Sequence, residues 1–202
     1  MERFTPSTIA ALIVASSFAA GLNVYATVLT LGALARLHWV ELPGGLEALG
    51  HWWVIITSGV LFAAEFVADK IPGLDLVWNA LHTFIRIPIA ALLAFQASSH
   101  LSPGLQLLAT ATGAAIALAA HGSKTAVRAA VTPSPEPVSN IALSTGEDAA
   151  AIGLSWLVTV HPWAAAATAA VLLVLAVAAA RWVVRMVRGM FRKTQTAFAR
   201  IG

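Results

Sequence analysis

The chain of 202 residues is 59% hydrophobic and only 10% charged, with a mean hydropathy of +0.82, whereas a soluble domain carries about 25% charged residues. That composition excludes an ordinary soluble domain. A spanning helix takes about 20 apolar residues, so the length allows about six crossings in one domain. The absence of cysteine excludes a disulfide framework, a thiolate nucleophile and thiolate metal sites, and the net charge of +3 is concentrated in one tail.

The predicted elements are all helical. The first apolar stretch runs from Ser7 to Leu37 with Asn23 inside it. It outruns the short apolar region of a secretion signal and reads as one retained helix. A loop with Pro43, Gly44 and Gly45 precedes a second helix, His51 to Ile71, and the pair Pro72-Gly73 turns the chain into a third, Asp75 to Ser98. The break Ser102-Pro103-Gly104 opens a fourth helix, Leu105 to Val131. Prolines 133, 135 and 137 exclude continuous helix before the fifth, Ile141 to Val160, which Ser139 or Asn140 can cap. A sixth runs from Trp163 to Met190. Pro88, two residues after Arg86, predicts a kink or break in the third helix. Residues 1–190 thus form one transmembrane helical domain, and 191–202 a basic cytoplasmic tail. The runs lack the alternation of a membrane barrel, so the fold class is an all-α polytopic helix bundle. Its helix pairs about Pro72 and about Pro133 to Pro137 suggest a two-hairpin internal pseudo-repeat.

With both termini on one side, that side collects Arg3, Lys70, Lys124, Arg128, Arg181, Arg185, Arg188, Arg192, Lys193 and Arg200, and the opposite loops hold only Arg36. The positive-inside rule then places both termini in the cytoplasm. Arg181, Arg185, Arg188 and Arg192 recur at four, three and four residues, a stripe suited to anionic lipid head groups rather than nucleic acid.

The polar residues inside these apolar helices are periodic. Asp75, Asn79, His82 and Arg86 are four, three and four residues apart, which puts them on one helix face. Glu65 and Asp69, with Lys70 adjacent, mark the second helix; His121, Lys124 and Arg128 the fourth; Ser144, Glu147 and Asp148 the fifth; Asn23, Thr27 and Thr30 the first. A charge left facing hydrocarbon costs about 2.5–3.5 kcal/mol, so the stripes are expected to converge. The first-helix set reads as packing polar groups. Five acids then face four bases, Lys70 among them. No phosphate loop, zinc-protease or nucleophile-elbow motif occurs, and the histidine and carboxylate spacing matches no standard metal site, so no cofactor is expected.

Several runs resemble an uncharacterised bacterial integral-membrane family, domain of unknown function 4126. They are Gly21-Leu-Asn-Val-Tyr-Ala-Thr-Val-Leu29, Glu65-Phe-Val-Ala-Asp-Lys-Ile-Pro72 continuing through Asp75, Trp78, His82-Thr83 and Ile85-Arg86, then Ser134-Pro-Glu-Pro-Val-Ser-Asn140 and Glu147-Asp148. Asn79 stands where the family commonly has an acid, and Ile87 separates Arg86 from the proline that usually follows it. The resemblance implies a helical protein of the bacterial inner membrane and brings no activity.

The functional expectation is a transporter or channel for a small, charged solute, with a cytoplasm-facing cavity lined by Glu65, Asp69, Lys70, Asp75, Asn79, His82, Arg86, His121, Lys124, Arg128, Glu147 and Asp148. In that reading Arg86 or Lys124 holds an anionic group and Glu65 or Glu147 carries a proton. Two alternatives stand beside it: a structural or assembly protein with static ion pairs, and an intramembrane metal-dependent enzyme acting on lipid head groups. A homo-oligomer is compatible with each.

Overall fold

The structure is a computed structural model that describes residues 4–71, 73–131 and 137–198. Arg3, Pro72, residues 132–136 and Arg200, and the side chains of Ser139, Arg192 and Lys193, lie outside the described residues, and with them part of the charge pattern and the Ser139 cap read from the sequence. The described chain forms seven α-helices and one 3-10 helix, with no strand among the described residues. They are α1 (Pro6–Leu22), α2 (Val24–Arg36), the 3-10 segment (Gly44–Gly50), α3 (Trp52–Ala68), α4 (Leu74–Ala97), α5 (Pro103–Val131), α6 (Pro137–Val160) and α7 (Pro162–Phe198). Proline opens α1, α5, α6 and α7, where the missing N–H has no helical partner to lose. Gly73, at φ 86°, supplies the left-handed turn that starts α4. The helix α7 continues past Met190 to Phe198.

The first apolar stretch is not one helix. At Asn23 the backbone is extended (φ −150°, ψ 103°), its N–H closes α1 on the Ala19 carbonyl, and its Oδ1 accepts the Ala26 N–H at 2.9 Å to cap α2. The chain then reverses. Pro6 and Ile9 line one groove with Leu101 and Leu105, at the start of α5, and Gly21 abuts Ala117 and Ala120 further along it, so α1 runs parallel to α5. Gly32 meets Leu49 and Ile55, and the Arg36 guanidinium lies 5.2 Å from the Trp52 ring at the start of α3. Phe4, Thr8 and Leu12 also share a groove with Trp39 to Leu42 and with Val158 to Pro162. The start of α1 and the end of α2 therefore sit at the same end of the bundle, and the two form a re-entrant hairpin whose tip, Gly21 to Asn23, stops partway. Neither arm reaches the length of about 20 residues that a crossing takes.

This corrects the sequence reading of six crossings. Among the described residues three helices are long and apolar enough to cross, Leu74–Ala97, Pro103–Ala130 and Pro162–Gly189, and a fourth span arises if the 3-10 segment and α3, bent by 67°, count as one. The helix α6 has 24 residues but carries Glu147 and Asp148 near its middle. Phe4 lies at the end that holds His161, and the basic stretch of α7 starts at Arg181, about 28 Å along the helix axis from Pro162. Phe4 and the basic stretch of α7 thus lie toward opposite ends of the bundle.

The hairpin occupies the centre. The helix α1 packs on α4, α5, α6 and α7, and α2 on α3, α6 and the 3-10 segment. The helix pairs read as two hairpins consequently pack mainly on other elements, α4 on α5 and α1, and α6 on α1, α2 and α7. Small residues permit this approach: Ala15, Ala19, Ala94, Ala117 and Ala120 are buried at the contacts. A Cβ on Gly21 would stand 2.7 Å from the Ala120 Cβ and 2.8 Å from the Ala117 carbonyl oxygen. Gly21→Ala is accordingly expected to cost about 1–3 kcal/mol, seen as a lower unfolding temperature in detergent. Gly146→Ala, with nothing within 4 Å of the added carbon, should leave that temperature unchanged or raised. The helix α4 runs unbroken through Pro88, which sits on its exposed face; the broken element is the α1–α2 pair instead.

Candidate functional site

Four helices and the hairpin tip bring one charged network together. Asp75, Asn79, His82 and Arg86, on one stripe of α4, are all buried. From α3, Glu65 and the capping residue Asp69 face them, α5 supplies His121, Lys124 and Arg128, and α6 supplies Asn140, Glu147 and Asp148. Arg86 Nη2 donates to Glu65 Oε1 at 2.5 Å, and Nη1 donates to His121 Nδ1 at 3.0 Å and toward the Gly21 carbonyl at 3.5 Å. Since His121 Nδ1 accepts from a guanidinium, the ring proton sits on Nε2, which donates to Thr83 Oγ1 at 2.8 Å.

Lys124 is the hub. Its ammonium donates to the Leu22 carbonyl at 3.0 Å and to Asp69 Oδ2 at 3.0 Å, and pairs with Glu147 Oε2 at 3.2 Å and Glu65 Oε1 at 4.0 Å. The ammonium thus sits among one carbonyl and three carboxylates. Arg128 Nη2 bridges Asp69 Oδ2 at 3.1 Å and Glu147 Oε2 at 2.5 Å, while Nη1 donates to the Asp69 carbonyl at 3.1 Å and lies 3.6 Å from Asp75 Oδ2. Asp75 Oδ1 accepts the N–H groups of Gly73 and Leu76 at the start of α4, where the helix dipole favours a negative charge. Asn79 donates to the Asp75 carbonyl at 2.8 Å and to Asp69 Oδ1 at 3.3 Å.

The hairpin tip is polarised to match. The last carbonyls of α1, on Gly21 and Leu22, face Arg86 and Lys124, as the negative end of a helix requires. The start of α2 faces an acid: Asn23 Nδ2 donates to Asp148 Oδ1 at 2.9 Å. Non-helical backbone at such depth is tolerated where protein or a cavity satisfies it.

Of the residues read from the sequence, Lys70 is the one that stays outside. Its ammonium donates to the Phe66 carbonyl at 3.0 Å and lies 3.0 Å from the Phe66 ring centre; partial burial holds its pKa below the usual lysine value. Without it, Glu65, Asp69, Asp75, Glu147 and Asp148 outnumber Arg86, Lys124 and Arg128 by two. Among the described residues the buried Glu65 Oε2 and Asp148 Oδ2 have no hydrogen-bond partner. Glu147 is the partly exposed acid of the five, with a side chain 15% exposed, and it lines an apolar groove of about 630 Å³ between α1, α5, α6 and α7. Among the described residues, no group of three or more histidines and acids is placed to hold a metal ion.

Sequence reasoning missed four participants. Asn23 reads as packing glue but binds Asp148. Asn140 reads as a cap, yet α6 starts at Pro137 and the Asn140 amide donates to the Asp69 carbonyl at 3.2 Å. Tyr25 and Trp78 flank His82: the Tyr25 hydroxyl is 3.1 Å from Nε2, Nδ1 lies 2.7 Å from the Trp78 carbonyl, and the indole stacks on the imidazole with ring centres 4.5 Å apart. The one available signal was Asn23, a polar residue midway along a stretch otherwise free of strong polarity.

The family described as a domain of unknown function (DUF4126) matches residues 10–182, from within α1 to within α7. The chain belongs to this family. The matched region contains every member of the network of this DUF4126 protein. No curated protein and no solved structure matches the chain.

Proposed function

We propose that this DUF4126 protein is a transporter or channel for a small charged solute, and that the ion its network takes up is a cation, the proton being the smallest. The observation that carries the reading is the uneven pairing at the hairpin tip. Five carboxylates, four of them buried, face three buried cations there, and among the described residues Glu65 Oε2 and Asp148 Oδ2 have no hydrogen-bond partner. Burying uncompensated charge is costly, and ionisable groups inside a membrane bundle mark ion and proton pathways by default. A broken helix with its termini aimed at charged groups is also the element from which transporters build sites near the midplane. Glu147, at the groove, is the entry point, and Lys124, between Asp69, Glu147 and Glu65, is the charge that changes partner as the cation arrives. The charged end faces the cytoplasm: Lys70, Arg181, Arg185 and Arg188 lie toward it and Arg36 toward the other end.

The test is flux in proteoliposomes loaded with a pH-sensitive dye, under an imposed inside-negative potential, in sodium, potassium or choline medium. Proton uptake or cation-dependent flux well above that of protein-free vesicles is expected, with Glu65→Gln and Asp148→Asn each lowering it by at least about tenfold, roughly 1.4 kcal/mol in the barrier. Wild-type rates in both variants, or no flux in any medium, would overturn the reading.

The multidentate pairing of Lys124 and Arg128 favours a second reading, a static network that holds an assembly protein in register. It is distinguished by the same vesicles: stability responds to the substitutions and no flux exists to lose.

A further inference from the structure

A different face of the bundle carries cations that the network does not use. Arg181, Arg185 and Arg188 follow one another at four and three residues on α7, so they form one exposed row. None is within ion-pair distance of a carboxylate among the described residues. The row edges a groove of about 510 Å³ between α5 and α7, whose apolar floor includes Leu118, Val177 and Val184. Gly122 lies in that floor, with nothing within 4 Å of where a Cβ would stand. On the far side of the row a second apolar depression, about 590 Å³, shares Arg181 and Arg185 and is bordered by Trp182, an exposed residue of the kind that anchors helices at the membrane interface.

We propose that this groove binds an anionic glycerophospholipid, its phosphodiester held by the arginine row and an acyl chain laid along the floor past Gly122. Three features select that occupant. Guanidinium groups match phosphate oxygens in pairs. The row begins about 28 Å along α7 from its start, close to the hydrocarbon thickness of about 30 Å, and so stands at phosphate level. The floor is apolar and elongated, which a soluble anion does not need and a lipid does. The groove also lies against α5 at Gly122 and Ser123, next to Lys124 on the inward side, so a bound lipid buttresses the helix that carries the network's hub. The inference is independent of whether the protein transports anything.

The experiment uses the full chain in detergent, titrated with phosphatidylglycerol, phosphatidylcholine or inorganic phosphate, with binding read by native mass spectrometry and by the unfolding temperature. The wild type is expected to bind phosphatidylglycerol in preference to phosphatidylcholine. Each of Arg181→Gln, Arg185→Gln and Arg188→Gln should weaken that binding by about fivefold. Gly122→Leu keeps every charge and fills the floor, and it should bring phosphatidylglycerol down to the level of phosphatidylcholine. Three results would overturn the proposal: no preference between the two lipids, competition by inorganic phosphate at equal strength, or a Gly122→Leu variant that binds as the wild type does. The last would reduce the row to diffuse surface attraction. The arginines are exposed, so their variants remain informative should Gly122→Leu fold poorly.

Discussion

Arg86→Gln is expected to destabilise the protein by about 3–5 kcal/mol, the cost of leaving one partner of a buried ion pair behind. Arg86 and Glu65 are both 0% exposed, so water does not screen the carboxylate that remains, and its nearest other cation is Lys124 at 4.0 Å. The substitution also removes the donor to His121 Nδ1 and the contact to the Gly21 carbonyl. The neutral pair Glu65→Gln with Arg86→Gln should recover at least about 1 kcal/mol of that loss, since groups in direct contact couple by about 0.5–3 kcal/mol. Unfolding temperatures of the two single variants and the double variant supply the cycle. A double variant that loses the sum of the two single effects would show that Glu65 and Arg86 are not coupled. Recovery of stability without recovery of flux would separate the pair's structural contribution from its part in ion handling.

Asn23→Ala has the next largest expected effect, about 2–4 kcal/mol, because two functions of one amide disappear together. The cap on the Ala26 N–H contributes about 0.5–2 kcal/mol. The buried Asp148 carboxylate, which loses the donor at 2.9 Å, adds about 1–3 kcal/mol. Asn23→Ser keeps a capping oxygen and gives up the reach to Asp148, so it should lose only the second part. Combining Asn23→Ala with Asp148→Ala removes the stranded carboxylate and should restore part of the loss. Equal losses for alanine and serine at this position would mean that the amide does not cap α2. An Asn23→Ala protein as stable as the wild type would mean that the hairpin tip is held by the α5 contacts alone.

Much of the site was legible from spacing. Asp75, Asn79, His82 and Arg86 had to share a helix face, and the cost of charge in hydrocarbon required that face to look inward; all four are buried. The same logic applied to Lys70 fails, because adjacency to Asp69 says nothing about direction. Lys70 follows the end of α3, where the chain has left helical periodicity, and its ammonium folds back onto Phe66. Asn140 was misplaced for a related reason. Proline tolerates the first turn of a helix, so α6 starts at Pro137 and Asn140 becomes a helical residue with its side chain free to reach Asp69.

Composition and periodicity by themselves determined a helical membrane protein with inward polar stripes, since both depend on local spacing and on the transfer cost of each residue. They did not determine the path of the first 31 residues of helix, for a continuous apolar stretch is equally compatible with one crossing or with a hairpin. Only the tertiary structure decided it. Asn23 closes α1 and caps α2 locally, but the groups that satisfy the tip, Lys124 at the Leu22 carbonyl and Asp148 at the Asn23 amide, lie 102 and 125 positions away in the chain, and neither partnership is encoded in any local period. The charge balance of the site, and with it the orientation of every residue around the tip, follows from that reversal.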